Sequence, residues 1–138
     1  MRAFVFPGQG AQSVGMGQAL AEAYPAARAA FEEVDAALGE SLSTLVQEGP
    51  EDALTLTENA QPALMATSIA TLRALESEGV GIDQVSYVAG HSLGEYSALC
   101  AVGSIGLADA ARLLRRGGQA MQQATPVGTG AMAALIGI

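Results

Sequence analysis

Gly90-His91-Ser92-Leu93-Gly94 lies between Val85-Ser86-Tyr87-Val88-Ala89 and Glu95-Tyr96-Ser97-Ala98-Leu99-Cys100-Ala101. The leading segment is short, β-rich and nearly apolar, as a strand covered on both faces should be. The trailing segment has good helix formers and no proline, so it reads as a helix. The five residues between them have the form G-x-S-x-G, the pattern of a nucleophile elbow. There a serine sits on a sharp strand-to-helix turn, and the helix N-terminus aims backbone N–H groups at an incoming carbonyl. The two glycines let backbone and helix pack closely around that serine. A buried strand running into a helix through such a turn points to an α/β fold with a mainly parallel sheet.

The segments on either side extend the same alternation. Ala3–Phe6 reads as a first strand, stopped by Pro7-Gly8-Gln9-Gly10. A helix is expected from about Val14 to Tyr24. Pro25 opens the next, Ala26–Leu38, with Phe31, Val34, Ala37 and Leu38 on one face and Gly39 as its C-cap. Ser41–Gln47 reads as a short helix, and Gly49-Pro50-Glu51-Asp52 starts another brief turn. The longest helical pattern runs from Ala60 to Glu78, with Asn59 as N-cap and Pro62 in the first turn. After the G-x-S-x-G helix, Leu107 to about Ala124 is helical with an interruption at Gly117-Gly118. Pro126–Gly130 is a loop, and Ala131–Ile138 reads as a strand that ends without the loop and partner it should lead to. The chain is therefore expected to be the first part of a larger protein.

Composition narrows the function classes. The formal net charge is −8, from 14 acids against 6 bases, which argues against nucleic acid, where a basic face supplies most of the affinity. It argues equally against an anionic membrane surface. No signal peptide or apolar span is apparent, so a cytoplasmic location is expected. The single Cys100 excludes an internal disulfide and suits a small buried helix residue.

Ser92 is the candidate nucleophile, and a serine hydroxyl needs a base within hydrogen-bond reach. His91, the only histidine, points in a different direction from its neighbour on such a turn. It is expected to order the turn or touch the substrate rather than act as base. No histidine follows Ser92, so the serine, acid, histidine order of an α/β-hydrolase is not completed within the chain. Phe6–Gly10 is a Gly-rich loop at the carboxyl end of a strand, where α/β sheets bind ligands. A backbone N–H from this loop could join that of Leu93 in an oxyanion hole. Neither a dinucleotide fingerprint nor a P-loop is present, and no cofactor or metal is called for. Arg112, Arg115 and Arg116 form a basic cluster on the helix after the turn; one of them could grip a carboxylate, although a solvated face is the commoner reason for such a cluster.

Together these residues resemble the malonyl-CoA:acyl carrier protein transacylase family of bacterial fatty acid synthesis. The likeness rests on Phe6-Pro7-Gly8-Gln9-Gly10-Ala11-Gln12, Gln61-Pro62-Ala63-Leu64, the elbow extended to Gly90-His91-Ser92-Leu93-Gly94-Glu95-Tyr96-Ser97-Ala98, and Gly128-Thr129-Gly130-Ala131-Met132. It implies a hydrolase-like core over residues 1–125, with 126–138 starting a small ferredoxin-like subdomain whose remainder is missing. It also implies that Ser92 takes an acyl group from malonyl-CoA and passes it to acyl carrier protein. Backbone N–H groups of Gln9 and Leu93 would hold the oxyanion, with Gln61 and His91 beside the acyl pocket, and the general base would lie beyond Ile138.

One departure stands out. The family's malonyl-binding arginine falls at Gly117, with Arg116 adjacent but about 100° around the helix. Two other classes share parts of this pattern: a serine esterase with only the elbow in common, and a non-catalytic interaction fragment. The Phe6–Gly10 loop and the extended elbow favour the transferase.

Overall fold

The computed structural model describes residues 1–130; the strand expected over Ala131–Ile138 lies outside the described residues. Ala3–Phe6 forms β1 and Tyr87–Gly90 forms β2. They pair in parallel with Ala3 opposite Tyr87 and Phe6 opposite Gly90. Parallel neighbours need a long crossover, and here five helices supply it: α1 (Gln18–Ala23), α2 (Pro25–Leu38), α3 (Leu42–Glu48), α4 (Glu51–Thr55) and α5 (Thr57–Ser77). Beyond β2 come α6 (Gly94–Ala101) and α7 (Leu107–Ala124). The chain is α/β with a small parallel sheet, as the alternation implied. Among the described residues no helix is long and apolar enough to cross a membrane.

The core lies where α2, α5 and α7 meet. Phe31 and Val34 of α2, Met65 and Ile69 of α5, and Ala111 and Leu114 of α7 are buried together. Each large apolar side chain among them contributes about 1.5–3 kcal/mol by leaving water. The one-sided pattern of α2 follows from its 3.6-residue spacing, and Gly39 closes it at φ 69°, with its N–H on Asp35 O.

Three expectations need correction. The first helix starts at Gln18 rather than Val14, because Gly15 and Gly17 take φ 86° and 76°, values a right-handed helix excludes. The long helix starts at Thr57, so Asn59 lies inside it and caps nothing, and Pro62 sits one turn further in than expected. Pro62 has no N–H to give to Glu58 O, four residues back. Arg115 Nη1 donates to that carbonyl instead, at 2.7 Å, and the helix runs on in the N-terminal direction.

The third correction is that Gly117-Gly118 does not interrupt α7. Gly118 is buried where α7 crosses α5, and a Cβ there would lie 2.5 Å from Glu58 Cα. Close approach of two helices, rather than a break in one, accounts for that glycine. The two-stranded sheet shows alternating exposure along its strands. Phe4 and Phe6 face the helical core, while Val5 is 73% and Tyr87 64% exposed. Alternation along a strand sends every second side chain to the opposite face, and no described element covers that face.

Candidate active site

The carboxyl ends of β1 and β2 bring two loops into backbone contact. His91 N donates to Phe6 O at 3.1 Å, extending the ladder one step past β2, and Gly94 N donates to His91 O at 2.9 Å to close the turn. The spacing demands glycine. A Cβ on Gly90 would lie 1.9 Å from the carbonyl carbon of Gly94, and one on Gly94 would lie 2.4 Å from Phe6 O. Gly8 is equally confined, since its Cβ would meet His91 Nδ1 at 2.3 Å and His91 O at 2.7 Å. The His91 ring therefore packs on the first loop, which is how this residue can order the turn.

Ser92 stands at the apex with φ 55°, the one non-glycine residue at positive φ among those described. Such a value is uncommon outside glycine and persists where the surroundings over-determine it. Ser92 is exposed and borders a cleft of about 300 Å³. Gln61, Leu93 and Tyr96 line one part of that cleft, and Leu113, Leu114, Gly117 and Met121 of α7 line another. None of these lining residues is charged.

Gln61 is 6% exposed, and its Nε2 reaches Met121 Sδ at 3.8 Å. Thioether sulfur is a weak acceptor, so the amide is held loosely and remains available to a ligand. Gln9 does not line the cleft. Its Nε2 donates to Thr57 Oγ1 at 3.1 Å, which ties the first loop to the start of α5. Among the described residues, the backbone N–H groups of Gln9 and Leu93 have no hydrogen-bond partner. Orphan N–H groups at a helix start donate to anions, and that of Leu93 stands at the N-cap of α6.

The structure thus gathers Ser92, Leu93 and Gln61 around one cleft, while His91, expected beside it, packs on Gly8 and, like Gln9, is not among its lining residues. Arg116 is exposed and is not among the residues lining the cleft; Gly117 is. Cys100 offers no rival nucleophile: burial foremost, with the nearby Glu33 charge, pushes its thiol up to about 11 against the opposing pull of Arg73. No cluster of His, Cys, Asp or Glu suited to a metal occurs among the described residues. Sequence reasoning missed Tyr96, Leu113, Leu114 and Met121. The i, i+4 column of Leu113, Gly117 and Met121 was a usable signal, because those positions share one face of a helix.

A parallel α/β unit with a tight serine turn at its strand ends defines a class, and comparison narrows it. The family described as acyl transferase domain matches residues 3–137, and the chain belongs to it. The malonyl CoA-acyl carrier protein transacylase of Bacillus subtilis (strain 168) is 51% identical over 136 residues, which cover 99% of this chain and 42% of that protein. Its namesake in Escherichia coli (strain K12) is 50% identical, over 99% of this chain and 43% of its own length. An acyl-carrier-protein-S-malonyltransferase from Bartonella henselae superposes with a TM-score of 0.88 at 60% identity, covering 93% of this chain and 41% of that one. The malonyl-transacylase of a complex with a type II PKS acyl-carrier protein superposes at 0.83 with 48% identity, over 90% of this chain and 40% of that one. The chain spans about two-fifths of the length of the curated relatives it matches.

Proposed function

We propose that the chain is the N-terminal part of an acyltransferase that moves a malonyl group from coenzyme A to the phosphopantetheine thiol of acyl carrier protein. The carrier of the acyl group is an ester on Ser92. Residues 1–125 are then the first part of a hydrolase-like core with a nucleophile elbow, and 126–138 open a small ferredoxin-like subdomain. The observation behind this reading is Ser92 itself, held at φ 55° between β2 and α6 at the edge of a cleft. Support comes from relatives at about half identity that carry the transacylase name.

The chemistry is two-step acyl transfer. Ser92 Oγ attacks the thioester carbonyl as its proton passes to a base, and the resulting oxyanion takes hydrogen bonds from the Gln9 and Leu93 N–H groups. One such donor typically contributes about 10²–10³-fold to the rate. The C–S bond then breaks, coenzyme A leaves as the thiol, and the acyl group stays on Ser92. The carrier's thiol repeats the attack in reverse and regenerates the hydroxyl. His91 orders the turn from its seat against Gly8, and the general base, as the family resemblance implies, lies beyond Ile138. Gln61 lies beside the acyl group. The malonyl carboxylate would face Gly117 where the resemblance implies arginine. Arg116, about 100° away around an unbroken α7, does not line the cleft, so the preference for malonyl over acetyl is weakened.

Exchange of labelled coenzyme A into malonyl-CoA, without any carrier, tests the scheme in the complete enzyme. An acyl-Ser92 intermediate requires exchange, and Ser92→Ala should abolish it. Release of free malonate with no exchange would instead indicate an esterase.

A further inference from the structure

We infer that Arg115 is a positioning residue, which fixes the first turn of α5 and through it both sides of the Ser92 site. The inference rests on the acyl-transfer reading above. Arg115 lies on α7, two residues before Gly117, with its side chain 14% exposed. Its guanidinium is divided among three partners. Nη1 donates to Glu58 O at 2.7 Å and to Asn59 Oδ1, and Nη2 pairs with Glu40.

The Glu58 contact is the informative one. Pro62 leaves that carbonyl without its helical donor, and a part-buried acceptor left without a partner is destabilising. Arg115 fills the vacancy from another helix, so the first turn of α5, closed at its start by Ala60 N on Leu56 O, is also tied to α7. The same end of α5 carries one residue that holds the Gln9 loop and one that lines the Ser92 cleft. Thr57 and Gln61 are four residues apart and share a face of α5. Thr57 Oγ1 holds the Gln9 side chain, and Gln61 lines the cleft. Gly118 fixes the spacing, because its backbone packs on Glu58 with no room for a Cβ. Arg115 touches neither the cleft nor Ser92, and acts by holding the turn that presents Gln61 and anchors Gln9.

The test uses the complete enzyme with Arg115→Met, Thr57→Val and the double variant. kcat and KM for malonyl-CoA are expressed per active site, counted by the acyl groups that Ser92 takes up. Arg115→Met keeps the apolar stem but removes every donor. Small misplacements of catalytic groups cost up to about 10²-fold, so kcat should fall about tenfold with KM nearly unchanged. Thr57→Val should fall in the same way, and the double variant should be no worse than about the larger single effect, because both interrupt one path. Arg115→Lys, which restores one donor near Glu58 O, should recover part of kcat. An Arg115→Met enzyme that melts lower yet keeps its per-site kcat would overturn the inference and leave a purely structural arginine. Fully multiplicative losses would overturn the shared path. If the parent enzyme takes up no acyl group on Ser92, the acyl-transfer reading fails first, and the two failures are distinguishable.

Discussion

The seam between α5 and α7 and the cleft beside it are built from the same turns of α7, yet neighbouring residues meet opposite conditions there. On the seam, Gly118 is buried with Glu58 backbone pressed against it, and Leu114 packs into the core. On the cleft side, Gly117 would meet nothing within 4 Å if it carried a Cβ. One glycine is demanded by packing and the other is not. A glycine inside a helix costs about 1 kcal/mol relative to alanine, and only Gly118 has a close approach to set against that. The lesson is that adjacent, identical residues can carry stability in one case and binding space in the other. Sequence alone does not separate them.

Three substitutions sharpen the contrast. Gly118→Ala should have the largest effect, lowering stability by about 2–3 kcal/mol in urea denaturation, because the obstructing atoms are backbone and cannot rotate away. A neutral result would mean that the seam has room. Gly117→Arg should come next. It places a guanidinium at the cleft, where a charge-assisted hydrogen bond contributes about 1.5–3 kcal/mol. The malonyl-CoA over acetyl-CoA ratio of kcat/KM should therefore rise about tenfold or more in the complete enzyme. An unchanged ratio would mean that Arg116 already reads the carboxylate, and Arg116→Ala would then lower the ratio. The smallest effect is expected of Gly117→Ala, which should stabilise by about 0.5–1 kcal/mol through helix propensity alone. Destabilisation there would show a packing demand on the cleft side as well.

The legible parts of the chain were those whose causes are local. β1 was readable because Pro7-Gly8 ends it, and α2 because its apolar spacing and the Pro25 and Gly39 boundaries agree. The turn at Ser92 was readable because its glycines answer steric needs within a few residues, apart from the contact of Gly94 with Phe6 O. What escaped reading depends on distant partners. The start of α5 at Thr57 relies on a donor 57 residues away, since Arg115 satisfies the carbonyl that Pro62 abandons. Read locally, Asn59 and Pro62 suggested a helix start, because the residue that repairs the ladder was not in view. Gly117-Gly118 misled in the same way: the pair reads as a break until Glu58 is known to lie against it. In the cleft, Ser92 and Leu93 were read from the turn and Gln61 from the family resemblance, whereas Leu113 and Met121 were not singled out as lining residues.

The most direct measurement is where the acyl group goes. The complete enzyme would be incubated briefly with malonyl-CoA, quenched in acid, digested and mapped by peptide mass. One malonyl ester is expected, on Ser92, which disappears when acyl carrier protein is added and never forms in Ser92→Ala. Malonyl found on another residue, or a Ser92→Ala enzyme that still carries it, would contradict the account.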